Sequence, residues 1–87
     1  MIVEIAERGS AYIRYRSGER VEGPTIEVGG EGSEVLADVN GSDEIIGIEI
    51  VDVAVPESIE RAREFARERG LPFPRDLVAA ARAAQVA

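Results

Sequence analysis

Two carboxylates, Glu49 and Asp52, interrupt the most apolar stretch of this 87-residue chain, Ile45 to Val55. Carboxylates in apolar surroundings are a common route to a raised pKa and to acid–base catalysis. Strand alternation places 49 and 52 on opposite faces, however, so they are poor partners for one another. The favoured role of Glu49 is a cross-strand ion pair with Arg14 or Arg16, or a charge that discourages edge pairing.

Asp38, Asn40, Ser42, Asp43 and Glu44 crowd one turn and form the best candidate for a cation site. Calcium loops of the EF type need alternate oxygen ligands, a glycine at the sixth position and a bidentate glutamate at the twelfth. Counted from Asp38, the sixth position is Asp43, and Glu49 at the twelfth lies inside an expected strand. The match fails, and a polar hairpin turn is the better reading. Gly29-Gly30-Glu31-Gly32-Ser33 lacks the Lys of a phosphate loop and reads as a connector. Tyr12 and Tyr15 suit a ligand pocket, but half-buried packing with a solvated hydroxyl is commoner. Arg61, Arg63, Arg67 and Arg69 alternate with Glu, as on a solvated helix face. Gly47 is the least ordinary residue. A glycine between isoleucines weakens a strand unless an aromatic ring or a second backbone approaches closely, or the strand bulges.

The absent residue types narrow the chemistry further. The chain has no His, Cys, Lys or Trp. No single-chain nucleophile–base pair built on His or Cys is available, nor a Schiff-base lysine, nor a Cys-based zinc site. Composition therefore argues against an enzyme, and the reading assigns no catalytic residue, metal or cofactor. The net charge of −7 is uneven: residues 1–56 carry 4 Arg against 12 acids, and residues 57–87 carry 6 Arg against 5 acids. The acidic part repels phosphate backbones and anionic lipid, so neither nucleic acid nor membrane is an expected partner. The start of the chain lacks a signal-peptide pattern and no run reaches membrane-spanning length, so the expected location is the cytoplasm.

The elements that position these residues follow from periodicity. Ile2 to Ile5 is a short apolar run. Residues 11–16 alternate, with Ala11, Ile13 and Tyr15 on one face and Tyr12, Arg14 and Arg16 on the other. A return strand near Val21 is broken by Gly23-Pro24 and resumes at Thr25–Val28 as an edge or bulged strand. Glu34–Val39 alternates again, Asn40-Gly41 signals a hairpin that Ser42 and Asp43 extend, and the central strand over residues 45–55 follows. Simple alternation puts Ile46, Ile48 and Ile50 on one face and Ile45, Gly47, Glu49, Val51 and Val53 on the other. Both faces are then substantially apolar, which calls for cover on both sides. Pro56 suits the first position of a helix over 57–69, with Ile59, Ala62, Phe65, Ala66 and Arg69 as its stripe. Glu57–Arg61, Glu60–Arg63 and Glu64–Arg67 are its expected ion pairs. Gly70 caps it, Leu71 folds back, and a second helix runs from about Pro74 to Gln85 with Leu77, Val78 and Ala81 as its apolar side.

The string Val35-Leu36-Ala37-Asp38-Val39, a turn, then Ile45-Ile46-Gly47-Ile48-Glu49-Ile50-Val51-Asp52 resembles the bacterial and archaeal family called domain of unknown function 2283. Ala11-Tyr12-Ile13-Arg14 is similar to the upstream strand of that family. The resemblance covers roughly residues 1–54. It departs at Ala6-Glu7-Arg8-Gly9-Ser10, where the family has an acidic segment, and at Asn40 and Ser42, which replace turn acids. It implies a small antiparallel β domain and no activity.

The expectation is a single α+β domain over residues 1–87. Residues 1–55 form an antiparallel sheet of four or five short strands, and residues 56–87 form two C-terminal helices. The expected function is a non-enzymatic interaction module that self-associates as a homodimer, because a domain of this size buries a small core and its central strand is apolar on two faces. Tyr12, Ile45, Gly47, Glu49 and Val51 are its candidate interface or ligand residues. The alternatives are an antitoxin-like regulator that binds a basic partner protein, and a carboxylate-dependent enzyme or ligand binder using Glu49, Asp52 and Tyr12.

Overall fold

A computed structural model of the chain describes residues 1–80. Five strands come first: β1 (Ile2–Ile5), β2 (Ala11–Arg14), β3 (Ile26–Glu27), β4 (Val35–Val39) and β5 (Ile45–Ile50). Helix α1 (Pro56–Glu68) follows, and a short helical segment covers residues 77–80. The architecture is α+β, as composition and periodicity predict. Every strand pair is antiparallel, and the order across the sheet is β1-β2-β5-β4-β3. The apolar, β-branched β5 is the middle strand.

Ile13, Ile48, Ile50 and Val35 are fully buried on the face that carries α1, joined by Ala11, Ala37, Val39 and Ile45. Burying each large aliphatic side chain contributes about 1.5–3 kcal/mol. From the helix side, Ile59, Ala62, Phe65 and Ala66 complete the core. Four of the five residues of the expected stripe are thus buried. The fifth, Arg69, is exposed and ends the helix, with its guanidinium 4.7 Å from the centre of the Phe65 ring. The cap forms a Schellman motif: Gly70 has φ 67°, its N–H donates to the Arg67 carbonyl, and the Leu71 N–H donates to the Ala66 carbonyl at 2.9 Å.

The central strand is shorter and less regular than alternation predicts. It stops at Ile50 because Asp52 folds the chain into a turn, its carboxylate accepting the Ala54 N–H at 2.9 Å. The register against β4 slips at Asp38/Val39: Asp38 faces Gly47, yet Val39 faces Ile45. The extra residue is Ile46, and this bulge moves Ile45 into the core beside Ile48 and Ile50. Ile45 therefore does not share the face of Gly47 and Glu49. Val53 also belongs to the core, its N–H held by the Gly9 carbonyl at 2.9 Å beyond the strand end. Ile46 is buried but lies outside the contiguous core cluster.

Other expectations are adjusted locally. Val21 lies in no strand, and β3 shrinks to two residues after Gly23-Pro24. The α1 ion pairs Glu60–Arg63 and Glu64–Arg67 form. Glu57–Arg61 does not appear among the described ion pairs, and the Arg61 side chain lies against Gly29 instead. The second helix starts at residue 77 rather than near Pro74, because Asp76 caps it through the Ala79 N–H at 2.9 Å. Leu77 enters the core, whereas Val78 is exposed. The rest of that expected helix, including Ala81, lies outside the described residues.

Candidate functional site

Cross-strand register sets out the sheet face turned away from α1. Arg14 faces Ile2 on β1 and Gly47 on β5; Tyr12 faces Glu4 and Glu49; Leu36 and Asp38 on β4 complete the rows. Tyr12 organises this face. A Cβ built at Gly47 would run into Cε1, Cζ and the hydroxyl of Tyr12, so the ring lies directly on the glycine. The Tyr12 hydroxyl donates to Asp38 Oδ2 at 3.0 Å, so this one side chain spans β2, β5 and β4. Thr25 Oγ1 donates to the other Asp38 oxygen at 3.3 Å. On the opposite flank, the Arg14 guanidinium sits 5.0 Å from the Tyr12 ring centre. Arg14 Nε donates to Glu4 Oε1 at 3.1 Å. A continuous polar belt therefore runs from Glu4 on β1, through Arg14 and Tyr12, over Gly47 to Asp38 and Thr25.

Burial, and then the Asp38 hydrogen bond, push the Tyr12 phenol up to about 12. It is held as a neutral donor and is unsuited to act as a base or nucleophile near neutral pH. Burial also raises Tyr15 to about 12, and its hydroxyl donates to the Pro72 carbonyl at 2.7 Å.

The carboxylates do not converge. Among the described ion pairs Glu49 is absent: Arg14 is taken by Glu4, and Arg16 by Glu19 and Glu44. The expected Glu49–Arg14 or Glu49–Arg16 pair is therefore replaced by these contacts. Asp52 is engaged in its own turn. In the 40–44 turn the hub is the amide of Asn40, which is 8% exposed. Its Oδ1 accepts from the Ser42 and Glu44 N–H groups at 2.9 and 3.0 Å. Its Nδ2 donates to Glu19 Oε1 at 2.7 Å and Glu44 Oε1 at 3.2 Å. The Asn40 bond, and then the hydrogen bond from Arg16 at 3.1 Å, hold Glu19 below its ordinary pKa. No group of three or more metal-ligating side chains gathers among the described residues.

Of the five candidate residues, the structure brings Tyr12, Gly47 and Glu49 together on one face. Ile45 is 6% exposed on the other face, and Val51 is exposed just past the strand end. Sequence reasoning missed Asp38 as the hydroxyl's acceptor and Asn40 as the hub of its turn. The Gly47 signal, a glycine that an aromatic ring covers, pointed towards the first. The polar residue that precedes Gly41 pointed towards the second.

The two sheet edges are built differently. At the β3 edge the strand is two residues long, follows Gly23-Pro24, and has the Glu27 carboxylate turned to the Gly32 N–H at 3.0 Å. These are the usual means of blunting an edge. The β1 edge is Ile2-Val3-Glu4-Ile5, four residues with no Pro, Lys or bulge. Its single charge, Glu4, is turned back onto Arg14 of the same sheet. The hydrogen-bond phase of this edge is fixed from both sides of β2. The Ala6 N–H donates to Ser10 at 2.9 Å, in register with the β1–β2 pair, and the Tyr15 N–H donates to Ile46 at 2.7 Å. Antiparallel alternation then aims the backbone of Ile2 and Glu4 at β2, and the N–H and C=O groups of Val3 and Ile5 outward.

No helix among the described residues is long and apolar enough to cross a membrane. The chain matches no protein-family model, no curated protein and no solved structure.

Proposed function

We propose that the protein is a small, cytoplasmic, non-enzymatic interaction module that associates with a second copy of itself through the free edge of β1. The observation that carries this reading is the contrast between the two sheet edges. One is shortened and preceded by proline; the other offers an apolar four-residue strand whose only charged side chain is paired internally. Unblunted edges are templates for another strand. The non-enzymatic part rests on the missing His, Cys and Lys, and on Asp52 and the Tyr12 phenol being engaged in structural hydrogen bonds. Kinship with domain of unknown function 2283 is carried as part of this proposal and assigns no activity to any residue.

The test is sedimentation velocity from micromolar to millimolar concentration on wild type and Val3→Pro. The Val3 N–H points outward, so proline removes a donor from the free edge and none from the β1–β2 ladder. Wild type is expected to move from monomer to dimer with rising concentration. Val3→Pro is expected to stay monomeric with an unchanged circular dichroism spectrum. A wild type that is monomeric throughout refutes the reading. If that monomer co-purifies with a basic protein, the antitoxin-like alternative takes its place.

A further inference from the structure

We infer that the two copies pair β1 against β1 antiparallel, with Val3 opposite Val3 of the second copy on the two-fold axis. This rests on the self-association proposed above and specifies its geometry, a continuous ten-stranded sheet made from two five-stranded ones. Only registers that join outward-facing residues to outward-facing residues are available. With Val3 and Ile5 facing out, the choices are Val3 on Val3, Val3 on Ile5, or Ile5 on Ile5.

Charge and strand length decide among them. Val3 on Ile5 sets Glu4 directly opposite Glu4 at the axis, with Cα atoms about 4.5 Å apart. Like charges so placed are destabilising. Ile5 on Ile5 leaves Ile2 outside the pairing and draws in residues beyond Ala6, which the Gly9 N–H to Ala6 carbonyl bond commits to a turn. Val3 on Val3 instead sets each Glu4 opposite Ile2 of the other copy. Ile2 already neighbours Arg14 within its own sheet. The face then carries Arg14, Ile2 and the second copy's Glu4 in one row, and the same row inverted beside it. Two Arg and two Glu interleave with no net charge, and Ile2, 52% exposed in the single chain, gains cover.

Single-cysteine variants test the register, since the chain has no cysteine of its own. A hydrogen-bonded antiparallel pair has Cα atoms about 5.5 Å apart, within disulfide reach. Under mild oxidation Val3→Cys is expected to convert largely to a covalent dimer, while Glu4→Cys and Ile5→Cys stay largely monomeric. Ile2→Glu, which sets an acid opposite Glu4, is expected to weaken the non-covalent dimer several-fold. Preferential cross-linking of Glu4→Cys or Ile5→Cys overturns the register and leaves self-association standing. A wild-type dimer with no cross-link in any of the three variants moves the interface away from β1. A wild-type monomer with no cross-link refutes self-association itself.

Discussion

Gly47→Ala probes whether the Tyr12 ring truly rests on the glycine. The added methyl group would overlap three atoms of Tyr12 at once, the ring carbons Cε1 and Cζ and the hydroxyl oxygen. A rigid aromatic ring cannot flex at one end to relieve this, so it must swing off the strand. That movement breaks the 3.0 Å bond to Asp38. A hydrogen bond to a charged group is worth about 1.5–3 kcal/mol, and alanine recovers about 0.5–1 kcal/mol relative to glycine within a strand. With the lost ring packing added, the net cost is about 2 kcal/mol, which lowers the melting temperature by roughly 8–16 °C in a domain of this size.

A double-mutant cycle isolates the cause. In a Tyr12→Ala background the three nearest atoms that the new methyl group would strike are gone, so Gly47→Ala is expected to be neutral or slightly stabilising. Ultraviolet titration gives a second reading. In the Gly47→Ala protein the phenol of Tyr12 should ionise nearer its ordinary value, because its burial and its contact with Asp38 are both reduced. If Gly47→Ala melts like wild type, or costs the same with and without the Tyr12 ring, the close-packing account is wrong.

Asn40→Asp replaces an amide that donates to Glu19 and Glu44 with a third carboxylate facing both. The buried site makes this expensive, about 2–3 kcal/mol by urea denaturation at neutral pH. The deficit should narrow as pH falls through the carboxylate range, and a pH-independent deficit would point to some other cause. The two tyrosines predict a defined loss of stability in alkali. Their folded pKa values are raised from 10.0 to about 12, so their contribution is fully present below pH 10. It is lost as pH rises towards 12, because the unfolded phenols ionise first. Melting temperature against pH should fall through this window, and Tyr12→Phe and Tyr15→Phe should each flatten the fall. If neither changes its slope, the phenols are not the groups responsible.

What could be read from the sequence was what local pattern encodes. The β-branched run identified the middle strand. Helical spacing identified Ile59, Ala62, Phe65 and Ala66 as the helix's buried stripe, and Gly70-Leu71 its cap. What escaped depended on non-local register. Two adjacent isoleucines look alike, so nothing at Ile45-Ile46 announces which of them joins the core cluster and which forms the bulge. Alternation offers Glu49 either Arg14 or Arg16, because the placement of β1, which brings Glu4 beside Arg14, is absent from any local pattern. Asp38 and Tyr12 are 26 residues apart and meet only because β5 lies between their strands.

Those same corrections relocate the question of association. A β5 apolar on both faces would have demanded cover for a large greasy surface. The bulge instead sends Ile45 inward, Gly47 disappears beneath Tyr12, and the belt from Glu4 to Thr25 satisfies its own polar groups. The engaged groups of this belt have little to gain from burial, because each already has its partner within the chain. The outward N–H and C=O groups of Val3 and Ile5 are in a different position. Among the described residues no strand pairs with them, and the side chains of β1 are apolar or, at Glu4, paired with Arg14. The pull towards a second copy therefore lies on the rim of the sheet rather than on its face. The Tyr12 belt contributes by holding Glu4 back through Arg14, which pairs the one charged side chain of β1 within its own sheet.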